Sequence, residues 1–147
     1  MTFVDTSALY AVIDRDDQNH EDAKATWGTL LQSDEMLLVT NYVIVETAAL
    51  AQHRIGMDAV RVLCGDILPA LEVHWMTEGD HAHAQNALLA TDRRKLSLVD
   101  CSSFHVMRNR MVRTAFVFDP HFREQGFDLL PAPIDHGKEA TPTKSSK

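Results

Sequence analysis

The sequence predicts a three-layer α/β fold in which a central, mainly parallel sheet of four to five strands lies between helices. Apolar runs of strand length alternate with segments of helical periodicity along most of the chain. Strands separated by helices become parallel neighbours, because a crossover connection returns the chain to the same edge of the sheet. The length of 147 residues and the 45% hydrophobic content suit one domain with one core.

The first half of the chain carries the patterns of two strands and four helices. The first apolar run stops at Asp5, a residue type that favours the start of a helix. Thr40 or Asn41 is placed to cap the third helix, and Gly56 marks its end. Strands are predicted at residues 2–4 and 36–39, and helices at residues 8–13, 20–32, 41–55 and 59–68.

The second half continues the alternation. Ser97 and Asp100 have the spacing of a capping box, which predicts the start of a helix. A buried strand then ends at Asp119, which precedes Pro120. Strands are predicted at residues 71–76, 114–118 and, at an edge of the sheet, 127–130, and helices at residues 80–90 and 97–110.

The composition changes after Pro131 to Pro, Thr, Ser and Lys, which is typical of a disordered tail. We therefore expect one domain at residues 1–131 and a disordered tail at residues 132–147. The chain starts without a basic segment and apolar signal core, and no uncharged run approaches the roughly 18 residues that span a membrane. These features predict a cytoplasmic protein.

The net charge of −7 argues against a protein that coats nucleic acid, since such proteins bind phosphates through a surplus of Lys and Arg. It does not exclude a nuclease. An enzyme that gathers carboxylates around divalent cations is acidic in sequence, and the bound ions reverse the local charge where the phosphate must lie.

Two cysteines, two tryptophans and two methionines have no predicted chemical role. Cys64 and Cys101 lie in apolar helical segments without metal-binding spacing, so we expect buried free thiols. Trp27 and Trp75 are expected to anchor the core. Met107, together with the methionine four residues later, is also expected to lie in the core.

Four carboxylates stand out. Asp5 and Asp119 fall at the predicted carboxyl ends of strands, where open parallel sheets bind ligands. Glu46 is a charge inside an otherwise apolar helix, which is unfavourable unless a partner neutralises it. With Asp100, these residues form an oxygen-only set of the kind that suits Mg²⁺ or Mn²⁺ and phosphodiester hydrolysis.

Each acid also has a simpler structural interpretation. Asp5 can cap the first helix, Asp100 can close the capping box, and Asp119 before proline can cap a helix. Glu46 can face solvent or pair with Arg54. These interpretations do not explain why two strand ends and two helices bring acids to one side of a single sheet.

The sequence resembles the PIN-domain nucleases, among them toxins of the VapC type and stand-alone relatives. The segments that carry the resemblance, in order, are Phe3-Val4-Asp5-Thr6-Ser7-Ala8-Leu9, Asn41-Tyr42-Val43-Ile44-Val45-Glu46, Leu96-Ser97-Leu98-Val99-Asp100-Cys101 and Phe118-Asp119-Pro120-His121-Phe122. The resemblance implies a PIN-like fold and an RNA substrate. It also implies a homodimer and an antitoxin whose basic segment enters the acidic groove.

The resemblance further implies that Asp5, Glu46, Asp100 and Asp119 are metal-binding and catalytic acids, with Thr6 as a supporting hydroxyl. We expect the three aspartates to ligate one Mg²⁺ or Mn²⁺ ion, and Glu46 to ligate a second ion or hold a water. The attack on phosphorus is then in line, without a covalent enzyme intermediate.

The chain departs from the family pattern beside the last acid. Val117 stands where many relatives have threonine, and His121 stands where many have a further acid. His121 could contact a phosphate, although an exposed loop histidine is the simpler interpretation.

Two basic clusters are further candidates for phosphate contacts. The first contains Arg93, Arg94 and Lys95, and the second contains Arg108, Arg110 and Arg113. For each cluster the simpler interpretation is a solvated helix end that suits the helix dipole.

Two other functions are compatible with the sequence. A non-catalytic PIN-like module could bind RNA or protein and keep the acids for folding, and the changes at positions 117 and 121 favour it slightly. An aspartate-nucleophile phosphatase could use Asp5, but the second aspartate expected two positions later is Ser7.

Overall fold

The computed structural model describes residues 1–133, which form a five-stranded sheet flanked by helices. The strand order is β3-β2-β1-β4-β5, and every neighbouring pair is parallel. The predicted α/β class with a mainly parallel sheet is therefore confirmed. Most of the tail predicted at residues 132–147 lies outside the described residues. The strands are β1 (Thr2–Val4), β2 (Leu37–Thr40), β3 (Glu72–His74), β4 (Thr114–Phe116) and β5 (Asp128–Leu130).

The helices that connect the strands follow the predicted order. The predicted helix at 59–68 is wrong in its second half, where a π-helical turn at Leu63–Ile67 and a 3₁₀ turn at Leu68–Ala70 replace it. Pro69 has no N–H to donate, so a regular α-helix ends before it. The helices are α1 (Thr6–Ile13), α2 (His20–Gln32), α3 (Asn41–Arg54), α4 (Met57–Val62), α5 (Glu78–Thr91), α6 (Leu98–Asn109) and α7 (His121–Glu124).

The order of the strands reverses at β1. The chain adds β2 and β3 on one side of β1 and then returns to add β4 and β5 on the other side. In open parallel sheets, such a reversal creates a crevice at the carboxyl ends of the two strands beside it. Here those ends are Val4 of β1 and Phe116 of β4, and Asp5 follows the first directly.

Aromatic packing fixes the segment that follows β4. The side chain of Phe122 is fully buried, with its ring centroid 4.9 Å from that of Phe104 on α6 and 6.3 Å from that of Phe3 on β1. Burial of a phenylalanine contributes about 1.5–3 kcal/mol. Phe122 thus anchors α7 to the sheet, and Gly126 turns the chain back toward β5 with a φ of +90°.

Three of the predicted core residues are exposed. Trp75 is 70% exposed because β3 ends at His74, so Trp75 lies in the following loop. Met111 is 87% exposed, in a left-handed backbone conformation after α6, and Cys64 is exposed in the π-helical turn. The prediction is confirmed for buried Cys101 and Met107 and for Trp27, which packs against the core.

None of the helices in residues 1–133 is both long and apolar enough to cross a lipid bilayer.

Candidate active site

Asp5 leaves the sheet at the carboxyl end of β1 and caps α1. Its Oδ2 accepts hydrogen bonds from the backbone N–H of Ser7 at 3.0 Å and from the Ser7 hydroxyl at 2.7 Å. Its own N–H donates to the carbonyl oxygen of Phe116 at 3.0 Å, which holds Asp5 beside β4. The capping interpretation is confirmed, and it uses only one of the two carboxylate oxygens.

Ser7 has a role that the sequence did not reveal. Its hydroxyl oxygen also accepts a hydrogen bond from the backbone N–H of Phe118 at 2.9 Å. Ser7 therefore joins Asp5 to the segment that leads from β4 to Asp119. In the sequence, its position two residues after Asp5 hints only at the bond to Asp5. The bond to Phe118 has no local pattern, because the two residues are 111 positions apart.

Thr6 ties α1 to α3 close to Glu46. The Thr6 hydroxyl donates to the carbonyl oxygen of Val43 at 3.5 Å and accepts from the Thr47 hydroxyl at 3.3 Å. Glu46 is half-buried on α3, and burial raises the pKa of its carboxyl, an effect that the Thr6 hydroxyl partly offsets. Thr6 therefore supports the helix that presents Glu46.

The alternative pairing of Glu46 with Arg54 is not formed within residues 1–133. The guanidinium of Arg54 instead lies over the ring of Tyr10, 5.4 Å from its centroid. Glu46 is thus a half-buried acid with no basic side chain paired to it in this part of the chain.

Asp100 closes a capping box at the start of α6. Its Oδ2 accepts from the N–H of Ser97 at 3.1 Å, and its own N–H donates to the Ser97 hydroxyl oxygen at 3.0 Å. The residue is 9% exposed, and burial raises the pKa of its carboxyl. As with Asp5, the capping interpretation is confirmed, and one of the two carboxylate oxygens takes no part in the cap.

Asp119 lies in the segment between β4 and α7. Its Oδ1 accepts from the backbone N–H of His121 at 2.8 Å, and Nε2 of His121 lies 3.9 Å from the same oxygen. His121 begins α7, and its side chain is only 15% exposed, so the interpretation as an exposed loop histidine is wrong. Val117 directs its methyl groups into the core, where it is 2% exposed.

Each aspartate of the group therefore has one carboxylate oxygen that makes no hydrogen bond within residues 1–133. These oxygens are Oδ1 of Asp5, Oδ1 of Asp100 and Oδ2 of Asp119. No fully buried side-chain oxygen in the same part of the chain lacks a partner. The second oxygen of Asp5, a residue only 4% exposed, therefore keeps a small contact with solvent.

The structure brings the four acids into one electrostatic cluster. Burial, opposed by the hydrogen bonds from Ser7 and reinforced by the charges of Asp100 and Asp119, raises the pKa of Asp5 from 3.8 to about 7. The same two aspartates raise the pKa of Glu46, and Asp119 raises that of Asp100. Like charges this close make the ionised cluster unfavourable, and a cation would relieve it.

The donor set fits a hard divalent cation. All of the available ligand atoms are carboxylate oxygens, which Mg²⁺ and Mn²⁺ prefer over the nitrogen and sulfur ligands typical of zinc. As they stand, no three Asp, Glu, His or Cys side chains of residues 1–133 converge closely enough to hold a metal ion. A metal site at these acids therefore requires their carboxylates to come closer together than they lie here.

The two basic clusters lie at different places. Arg93 lies between α5 and α6 and pairs with Glu124 of α7 at 3.1 Å, next to the segment that carries Asp119. Arg94 and Lys95 are exposed in the same connection. The structure therefore brings Arg93 of this cluster to α7, the helix that follows Asp119.

Arg108 is not brought to the acids. It follows Asp100 by more than two turns of α6, about 12 Å along the helix axis. Its guanidinium lies 5.3 Å from the ring centroid of Phe127 and donates to Oε1 of Gln125 at 2.8 Å. Because α6 leads into the start of β4, the second cluster lies toward the opposite edge of the sheet, where Arg110 pairs with Glu72.

Comparisons with known proteins agree with this architecture. The family model of the PIN domain matches residues 2–128. The 23S rRNA-specific endonuclease VapC20 of Mycobacterium tuberculosis, from strain CDC 1551 / Oshkosh and from strain ATCC 25618 / H37Rv, is 32% identical over 128 residues, covering 86% of this chain and 95% of the relative.

A solved structure is similar as well. The crystal structure of Mycobacterium tuberculosis VapC20, described as a toxin that cleaves the sarcin-ricin loop, superposes with a TM-score of 0.78 at 30% sequence identity. The superposition covers 86% of this chain and 96% of the other. The match thus extends over almost the whole of the relative.

Proposed function

The chain belongs to the PIN domain family, and from this premise we propose that it is a metal-dependent endoribonuclease. The observation that carries the proposal is the cluster of four acids at the crevice between β1 and β4, in which burial and like charges raise the pKa of Asp5 to about 7. Energetically unfavourable acids of this kind mark functional sites.

The acids have separate tasks in the proposed reaction. A bound Mg²⁺ or Mn²⁺ ion supplies positive charge for the phosphate and lowers the pKa of an attacking water, a contribution on the order of several kcal/mol. Asp5, Asp100 and Asp119 would hold the ion through their second oxygens. Glu46, with a raised pKa, would hold a second ion or accept a hydrogen bond from the attacking water.

The relative supports a proposal for the substrate and the biological role. VapC20 is a 23S rRNA-specific endonuclease and a toxin that cleaves the sarcin-ricin loop. We propose that this chain also cleaves structured RNA as the toxin of a toxin-antitoxin pair, in the cytoplasm, where RNA is its target. We assign contacts with RNA phosphates to Arg93 and Arg94, in the connection between α5 and α6, and to His121, 3.9 Å from Asp119.

The proposed partners are a second copy of the chain and an antitoxin. The net charge of −7 and the acid cluster favour an antitoxin segment rich in Lys and Arg that enters the groove. A basic protein that co-purifies with the parent chain, and dissociates at high salt, would support this partner.

The experiment compares cleavage of a 23S rRNA fragment by the parent, Asp5→Asn and Asp34→Asn, with EDTA and then with excess Mn²⁺. Asp34 is exposed before β2, at the opposite edge of the sheet, and is the matched control. We expect Mn²⁺-dependent cleavage by the parent and the control, and a loss of about 100-fold or more in Asp5→Asn. Equal cleavage by Asp5→Asn and the parent at saturating Mn²⁺ would contradict the assignment.

A non-catalytic PIN-like module is the second candidate, and the residues near Asp119 favour it. The site has the apolar side chain of Val117 and the imidazole of His121, 3.9 Å from Asp119, at the positions where a hydroxyl and an acid are expected. RNA binding by the parent without cleavage at any Mn²⁺ concentration would support this function instead.

A further inference from the structure

An exposed tryptophan stands at the same edge of the sheet as the acids. Trp75 comes directly after β3 and is 70% exposed, although the ring of a tryptophan is one of the largest apolar groups a protein can bury. The last residue of β3, His74, is in register with Thr40, the last residue of β2. Trp75 therefore lies at the carboxyl edge, on the side of β2 and α3.

The loop that contains Trp75 is held against the start of α3. The backbone N–H of Met76 donates to Oδ1 of Asn41 at 2.7 Å. Asn41 is the first residue of α3, the helix that carries Glu46. The position of Trp75 relative to the acid cluster is thus set by a hydrogen bond between the two segments.

A polar aromatic pair lies next to this loop. The hydroxyl of Tyr42 and Nδ1 of His81 share a hydrogen bond of 2.6 Å, and their rings meet edge to face with centroids 5.8 Å apart. Tyr42 is one helical turn before Glu46, so the two side chains share a face of α3. The pair joins the start of α5, which follows the loop of Trp75, to the start of α3, the helix that carries Glu46.

We infer that Trp75, at the end of β3, is a stacking site for an unpaired base of the RNA strand whose backbone crosses the acids, with Tyr42 and His81 in the first turns of the helices that follow β2 and β3. This inference rests on the proposed ribonuclease function and adds its substrate preference. Strands lie about 4.8 Å apart, so β3 is about 10 Å from β1 and Asp5, a distance that the nucleotides next to the scissile phosphate cover.

The chemistry of the site favours a base. Every base has a flat π face that stacks on an exposed aromatic ring, and a base must leave its own helix to do so. The hydroxyl of Tyr42 and the imidazole of His81 can hydrogen-bond to the edge of such a base. A strand that is unpaired next to the cleavage site is therefore the preferred substrate over a continuous duplex.

The test uses the full chain with Trp75→Ala, Trp75→Phe and, as control, Leu89→Ala, which removes a side chain that is 69% exposed on α5. Tryptophan fluorescence is titrated with a short unpaired RNA oligonucleotide in EDTA, and cleavage of the same oligonucleotide is measured with Mn²⁺. We expect quenching by the unpaired strand but not by its duplex, and none in Trp75→Phe, which keeps a ring at position 75 and retains only Trp27 as a fluorophore.

For cleavage, we expect Trp75→Ala to raise KM by about tenfold, the effect of losing one base stack, while Trp75→Phe and Leu89→Ala stay near the parent. Equal KM values for the parent and Trp75→Ala, without quenching in the parent, would overturn the inference and leave the ribonuclease function standing. Quenching without any cleavage would support the stacking site and contradict the function.

A protein interface at Trp75 gives a different result. If Trp75→Ala loses self-association in gel filtration but keeps the RNA affinity and KM of the parent, Trp75 belongs to a contact between chains, and the stacking site is overturned.

Discussion

The hydroxyl of Ser7 accepts a hydrogen bond from the backbone N–H of Phe118 and donates one to Asp5, across the crevice between β1 and β4. The Ser7 side chain thus holds both the carboxylate of Asp5, at the end of β1, and the backbone of Phe118, which follows β4. The positions of Asp5 and of the segment that leads to Asp119 therefore both depend on the Ser7 hydroxyl.

We predict that Ser7→Ala weakens the response to metal. Asp5 loses a donor that lowers its pKa, so protons compete more strongly with a cation, and the Phe118 N–H loses its partner. We expect a loss of about 1–3 kcal/mol in the free energy of unfolding and a higher Mn²⁺ concentration at half-maximal cleavage.

Ser33→Ala is the matched control for this variant, because the Ser33 hydroxyl donates a bond of the same 2.7 Å length to Leu30, remote from the acids. Its Mn²⁺ dependence should equal that of the parent. An equal Mn²⁺ dependence in Ser7→Ala would show that the bond only supports the fold.

The metal-free protein should become less stable as the pH rises from about 4 to about 7. The pKa of Asp5 is raised in the folded state from its ordinary value of 3.8 to about 7, so the folded state binds more protons in this range. The destabilisation reaches at most about 4 kcal/mol above pH 7. Glu46 and Asp100, whose pKa values are also raised, act in the same direction.

Urea denaturation in EDTA at pH 5 and pH 8 measures this effect, and Asp5→Asn should reduce the difference between the two. A parent protein that is more stable at pH 8 than at pH 5 would refute the electrostatic account of the site.

Added Mn²⁺ should raise the melting temperature of the parent at pH 8, since a ligand that binds only the folded state stabilises it. At a concentration of 100 times Kd, the gain is about 2.7 kcal/mol. Asp100→Asn should lose most of the gain, whereas Asp34→Asn, with its exposed carboxyl far from the cluster, should keep it. An equal gain in both variants would place the cation elsewhere.

The sequence predicted those parts of the structure that depend on neighbouring residues. The caps formed by Thr40 and by Ser97 with Asp100 join groups three residues apart, so their spacing is visible in the chain. The parallel sheet followed from the alternation of strand and helix. The bond between Ser7 and Phe118 was not predictable, because nothing local reports a contact across 111 positions.

The position of Trp75 was not predictable for a related reason. Its apolar character favours burial, and only the end of β3 at His74 decides that it lies in the loop. The role of the four acids as metal ligands stays a prediction. Local capping explains one carboxylate oxygen of each aspartate, but it does not indicate what the second oxygen binds.

Asp80 should stabilise the fold without taking part in the site. Its Oδ2 lies 3.0 Å from Nε2 of His74 and its Oδ1 lies 2.9 Å from Nε2 of His105, which joins β3, α5 and α6. It also accepts from the N–H of Thr77, and these bonds lower the pKa of Asp80 well below its ordinary range. A lowered pKa contributes stability above the ordinary value near 4, and the contribution is lost as the pH falls below it.

Asp80→Asn is therefore expected to reduce the free energy of unfolding at pH 7 by about 1–3 kcal/mol, measured by urea denaturation. In Asp58→Asn, the control, a surface pair with Arg61 is lost, and the change should stay within about 0.5 kcal/mol. Because Asp80 acts on helix packing and not on the acids, the Mn²⁺ dependence of cleavage should be unchanged in protein that is folded. A shift in Mn²⁺ dependence would instead mean that the packing of α6, and with it the position of Asp100, sets the metal affinity of the cluster.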